Sequence, residues 1–134
     1  MMDGEQKIRD VLVKFEEIIE NHSNNLNQLE NLVAINRPDI ERCHRIVKRI
    51  RRTRKELYDG LKIIIEYYPS LKDEKVKQET LGIVSYLNLI GFTDEMQLLK
   101  SAEDLLKRAG VSLDIETDLT QLEELVKMTS KLSF

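Results

Sequence analysis

Two long heptad runs limit what this chain can become more than any other feature. Ile8, Leu12, Phe15, Ile19, His22, Leu26, Leu29 and Val33 follow one another at alternating steps of four and three. This is the a/d spacing of a helix that buries one side along its whole length. Val11, Ile18, Leu32 and Ile35 widen the apolar stripe, which suits a bundle better than a strict two-stranded coil. Asn36-Arg37-Pro38-Asp39 breaks the run. Pro38 cannot continue a helix but is tolerated in the first turn of the next, and Asp39 and Glu41 place negative charge where the new helix dipole favours it.

The second run has the same period: Ile40, Cys43, Val47, Ile50, Arg54, Leu57, Leu61, Ile64 and Tyr68. Two helices of about 45 Å joined by a tight break are expected to form an antiparallel hairpin. With Val33 facing Ile40, Ile19 faces Arg54 and Leu12 faces Leu61.

Shorter helices follow. Pro69-Ser70 ends the second helix, and Ser70 with Asp73 resembles an N-cap and its acidic third position. A third helix over about 71–90 carries Val76, Thr80, Ile83, Leu87 and Ile90, and Gly91 supplies its stop. Thr93, Asp94 and Glu95 read as the next start, with Met96, Leu99, Ala102, Leu105 and Leu106 behind them and Gly110 at the end. The alternation at 111–118 has no partner strand and reads as an extended linker. A last helix over about 118–131 carries Leu119, Leu122, Leu125 and Val126.

The expected fold is therefore all-α: one helical domain over 1–134, with a long antiparallel, coiled-coil-like hairpin at 3–68 and three shorter helices packed as a bundle at 69–134. The later helices are expected to fold back on the hairpin's open end, near 8–15 and 57–68, leaving the closed tip at 26–47 projecting. A projecting apolar seam would need a second protein, or a second copy of the chain, to cover it.

Composition agrees and excludes several classes. Five glycines and two prolines are too few for the turns of a compact all-β chain. Charged residues at 34% with hydrophobics at 41% suit amphipathic helices rather than disorder. No apolar run approaches the ~20 residues of a membrane span. Cys43 is the single cysteine, so no intrachain disulfide is possible. The opening Met1-Met2-Asp3-Gly4-Glu5 is acidic and lacks the apolar core of a signal sequence. The expectation is an intracellular protein, cytoplasmic or nuclear.

The formal net charge of -3 hides an asymmetry. Residues 1–35 hold three basic and seven acidic side chains, 36–68 ten and five, and 69–134 eight and twelve. The basic block is densest at 42–55, where Arg42, Arg45, Lys48, Arg49, Arg51, Arg52, Arg54 and Lys55 occur without an acidic residue. Arg45, Lys48, Arg52 and Lys55 form one helical stripe, with Arg49 beside it. Such a stripe fits an acidic protein surface, nucleic acid or anionic lipid. Internal pairing competes, because Glu16, Glu17 and Glu20 come close to its level in the hairpin. No aromatic residue interleaves the stretch, so bases have no stacking platform. Lys48-Arg49-Ile50-Arg51 also has the form of a short nuclear-import signal.

Arg54 and His22 are the polar residues of the two seams, a position that sets register or association state. Arg54 is expected to reach Glu16 or Glu20, and Arg54→Leu to stabilise the hairpin or alter its association. Catalysis and cofactor binding lack a basis: Cys43 and His44 are adjacent and diverge on a helix, no ligand spacing fits zinc, and the glycines are too scattered for a phosphate loop. No cofactor, metal or small-molecule substrate is expected. Gly60 and Gly82, inside helices, are read as close helix crossings, the alternative being a flexible point in the second helix near Asp59-Gly60. Tyr67, Tyr68, Phe92 and Met96 are read as core, and the tail from Met128 to Phe134 as core or as an apolar tip for a partner groove.

Ile83-Val84-Ser85-Tyr86-Leu87-Asn88-Leu89 resembles the end of the last helix of BAG domains. The resemblance implies a helical bundle that acts as a nucleotide-exchange factor on an ATP-driven heat-shock chaperone. It covers fewer than ten residues. The basic residue and glutamine with which BAG helices grip the chaperone correspond by spacing to Asp73 and Leu81, so the chain departs from the pattern at both. The functional expectation is a non-enzymatic helical interaction subunit or adaptor of a larger complex, partnered by a helical or acidic protein surface or by itself. The alternatives are a nucleic-acid or anionic-membrane module using the basic stripe, and a chaperone cofactor.

Overall fold

A computed structural model describes residues 3–35 and 39–133. Those residues form α1 (Gly4–Val33), α2 (Ile40–Tyr67), a 3-10 turn (Tyr68–Ser70), α3 (Glu74–Tyr86), a π-helical turn (Leu87–Gly91), α4 (Phe92–Arg108) and α5 (Ile115–Ser133). The protein is all-α. The break at 36–38 lies outside the described residues.

Carboxylates cap three of the helices. Asp3 accepts from the Gln6 amide, Asp39 from Arg42, and Asp73 from Lys75 and Val76. Each satisfies amide groups that a first helical turn leaves open. Asp73, not Ser70, is therefore the cap of α3, and Ser70 belongs to the 3-10 turn.

Contacts between distant residues give the order of the bundle. Lys7 Nζ donates to the Tyr67 hydroxyl at 2.8 Å, Phe15 lies against Gly60, and Asn25 Nδ2 donates to Thr53 Oγ1 at 3.4 Å. Numbers rise along α1 as they fall along α2. Arg9 Nη2 meets Asp73 Oδ2 at 3.0 Å, so α3 starts beside the N-terminal end of α1. Asn88 Nδ2 donates to Thr129 Oγ1 at 2.8 Å, which sets α5 running back along α3 and α4.

α3, the π turn and α4 are continuous in the backbone, and Gly91 keeps a right-handed helical conformation (φ -56°, ψ -54°). The expected stop at Gly91 and fresh start at Thr93 are thus replaced by one continuous helix over 74–108. The seam explains the π turn. Buried positions run Val76, Thr80, Val84, Leu87 and Asn88, and then Gly91, Phe92, Glu95, Leu99, Ala102 and Leu106. The large apolar side chains of Leu87 and Phe92 are five residues apart, and the wider turn between them keeps both inward.

The later helices lie along the hairpin to at least Glu30 of α1. Leu29, Cys43, Val47 and Ile50 are fully buried, and Ser23, Leu26, Asn27 and Glu30 of α1 share a groove with Leu98 and Ser101 of α4. The expected projecting tip is therefore corrected. A continuous helix of 35 residues spans about 50 Å, enough to run along most of the hairpin.

Gly60 is a close crossing, since a Cβ there would lie 2.3 Å from Phe15 Cε1. Gly82 is not, having nothing within 4 Å of the same position. Phe92 is fully buried, and Tyr67, Tyr68, Met96, Met128 and Leu132 pack against the core. Phe134 lies outside the described residues.

Candidate functional site: a buried charge layer, a cleft and a basic face

Each long helical segment of the bundle contributes one polar seam residue to a single buried layer: His22 from α1, Arg54 from α2, Glu95 from α4 and Asp118 from α5. They are 1%, 4%, 0% and 2% exposed. Arg54 is the hub. Its Nη1 donates to Glu95 Oε2 at 2.6 Å, and its Nη2 donates to Asp118 Oδ1 and, at 3.0 Å, to Gln121 Oε1. The other Glu95 oxygen lies 2.7 Å from His22 Nε2. A carboxylate only accepts, so Nε2 carries the proton of this bond. The His22 ring meets Phe92 edge to face, with centroids 6.4 Å apart.

Arg51, one turn earlier on α2, extends the network to the rim. Its Nε donates to both Asp118 oxygens at 3.0 and 3.1 Å, and its Nη2 to Asp118 Oδ2 and the Leu113 carbonyl. Two guanidiniums thus face two carboxylates. Among the described residues no buried side-chain polar atom lacks a partner, the condition under which buried charge is tolerable. Burial alone would lower the Arg54 pKa. The charges of Glu95 and Asp118, with the hydrogen bonds they accept, reverse this and hold it above its ordinary value.

Arg54 and His22 therefore do occupy the seam, but Arg54 does not meet Glu16 or Glu20, which are exposed on α1. The reason is topological. α4 and α5 insert their own carboxylates at the level of Arg54, leaving the α1 glutamates outside. Sequence reasoning missed Glu95, Asp118 and Gln121. The signal was present: Phe92-Glu95-Leu99 and Ile115-Asp118-Leu122 both step by three and four, so each acid interrupts an apolar seam as His22 and Arg54 do.

Beside this layer, α2 and α5 enclose a cleft of about 640 Å³ walled by Arg51, Lys55, Tyr58, Leu113, Thr117 and Leu125. The segment leading into it carries Gly110 at φ 76° and Asp114 at φ 54°. The Thr117 hydroxyl donates to Asp114 Oδ2 at 2.8 Å. α5 starts at Ile115, three residues before the expected Asp118.

The remaining cations of the basic run face outward. Arg45, Lys48, Arg49, Arg52 and Lys55 are exposed. Among the described residues none of them forms an ion pair, and none meets the glutamates of α1. Ile50 is fully buried within this helix, so residues 48–51 are not an extended import peptide. Among the described residues no helix is long and apolar enough to cross a membrane. Comparison with protein-family models, curated proteins and solved structures finds no match to this chain.

Proposed function

We propose that this chain is a non-enzymatic helical interaction module that docks an acidic protein surface on the basic face of α2, as a subunit or adaptor of a larger assembly. One observation carries the reading. The run at 42–55 divides its cations: Arg51 and Arg54 turn inward to Asp118 and Glu95, while Arg45, Lys48, Arg49, Arg52 and Lys55 remain exposed and unpaired. Internal structure accounts for the first pair and for none of the others.

The dimensions favour a protein partner. From Arg45 to Lys55 the face is about 15 Å long, a few turns of helix, and α2 becomes acidic at Glu56 and Asp59 immediately beyond. A long polyanion would overrun it into like charge. The net charge of -3 and the absence of aromatics at 42–55 also disfavour nucleic acid. Burial of Leu26, Leu29, Leu32, Cys43 and Val47 removes most of the uncovered apolar seam that motivated self-association. The exposed large hydrophobics Val13, Ile35, Tyr58, Leu89 and Ile90 include three isolated residues and one adjacent pair, ordinary for a protein surface.

The test is affinity purification with crosslinking mass spectrometry, comparing the wild type with Arg45→Glu/Lys48→Glu/Arg52→Glu. The expected result is a salt-sensitive partner whose acidic segment crosslinks to Lys48 or Lys55, lost in the variant with the melting temperature unchanged. Tight binding to duplex DNA, RNA or anionic vesicles that the variant abolishes would overturn the reading in favour of a polyanion module.

A further inference from the structure

We infer that the cleft between α2 and α5 receives an apolar anchor side chain from the partner of the basic face. The partner is then a short acidic segment ending in an aromatic or large aliphatic residue. This rests on the proposed function of the α2 face and specifies its partner.

The two surfaces meet at Lys55. Arg45, Lys48, Arg52 and Lys55 recur at i, i+3, i+7 and i+10, whereas Arg51, Lys55 and Tyr58 recur at i, i+4 and i+7. On a helix these are neighbouring stripes sharing Lys55, which is both a cation of the basic face and a wall of the cleft. A segment held along the first stripe therefore reaches the cleft within one turn of its last acidic contact.

The cleft's chemistry decides what enters. Its guanidiniums are already neutralised: Arg51 by Asp118, and Arg54 by Asp118 and Glu95. Asp114 and Glu124 also line it and are exposed. An incoming carboxylate or phosphate would meet those acids without gaining a free cation beyond Lys55. The uncharged walls that remain are the Tyr58 ring, 40% exposed, the half-buried Leu113, the edge of the buried Leu125, and the polar side chains of Thr117 and Gln121. A volume of about 640 Å³ falls within the range of ligand clefts and accommodates an aromatic side chain. Acidic residues thus stay on the stripe and an uncharged residue occupies the cleft, the arrangement of a buried anchor beside a polar contact strip.

The probes are synthetic helical peptides with glutamates at i, i+3, i+7 and i+10 and either Phe or Ala one turn beyond, at one end or the other. Their binding to the full chain is measured by fluorescence anisotropy at low salt. One Phe-ended peptide should bind about tenfold more tightly than its Ala counterpart. Thr117→Trp, which places an indole in the cleft, and Tyr58→Ala, which removes a wall, should each reduce that advantage to about twofold or less and leave the Ala peptide unaffected. If circular dichroism shows Thr117→Trp misfolded, Tyr58→Ala and peptide-induced shifts of the Thr117 and Leu113 amides decide. Equal binding of Phe and Ala peptides at both ends overturns the anchor while leaving the basic face in place. Failure of every glutamate peptide to bind overturns the basic-face reading and the anchor with it.

Discussion

Removing one member of the buried layer leaves its partners charged and dry. Glu95→Ala strips Arg54 Nη1 of its acceptor and leaves His22 Nε2 without one. Breaking a buried pair in this way costs about 3–5 kcal/mol, so urea unfolding should show a loss of that size. Arg54→Leu is expected to destabilise by a similar amount, because Glu95 and Asp118 then face each other's charge without their shared cation. That reverses the sign expected when Arg54 is taken as a lone seam residue. The glycines give a second contrast at the same scale. Gly60→Ala drives a methyl into Phe15 and should cost about 1–3 kcal/mol. Gly82→Ala meets nothing, sits mid-helix, and should stabilise by about 0.5–1 kcal/mol. Equal effects of the two substitutions in paired thermal melts would sink the packing explanation.

At the scale of elements, the start of α3 is set by Asp73. Its carboxylate accepts from the Val76 and Lys75 amides and lies beside Arg9, and these together hold its pKa below the ordinary 3.8. A depressed carboxyl pKa adds stability that is present above the ordinary value and is lost as pH falls through the folded one. Asp73→Ala should therefore narrow the stability difference between pH 7 and pH 2 and lower the protection of the Lys75 and Val76 amides from hydrogen exchange. A wild-type pH dependence in the variant would sink that assignment. Elements of this kind were partly legible in the sequence. Heptad spacing located α1, α2 and the core of α5, because burial along one stripe must repeat at the helical period. The joining of α3 to α4 was not legible, since Gly91-Phe92-Thr93-Asp94-Glu95 carries local stop and start signals that tertiary packing overrides. The layer was half legible. His22 and Arg54 stand out in runs already in phase, whereas Asp118 reads as a helix start and Glu95 as part of a first turn. The partner of a buried charge depends on which helices become neighbours, which heptad spacing leaves open.

At the scale of the whole molecule, the layer gives the bundle a reason to hold one register. Four apolar stripes can slide past one another by a heptad at modest cost. Here such a slide would separate Arg54 from Glu95 or Asp118 and leave charges buried without partners, a penalty of several kcal/mol. Replacing the set together, as His22→Leu/Arg54→Met/Glu95→Leu/Asp118→Leu, removes that penalty without exposing a lone charge, and Arg51 is exposed enough to hydrate. The midpoint of unfolding should hold or rise, while alternative registers become accessible. Cys43 reads this out. It is fully buried near the tip, and desolvation pushes its thiol pKa up, so in the wild type alkylation at pH 8 should proceed only through opening of the bundle. In the substituted protein, labelling should outpace global unfolding, and amide spectra should show more than one set of signals for tip residues such as Leu29 and Val47. A single set of signals, with labelling still tied to global unfolding, would mean that apolar packing alone fixes the register and that the charges have another use.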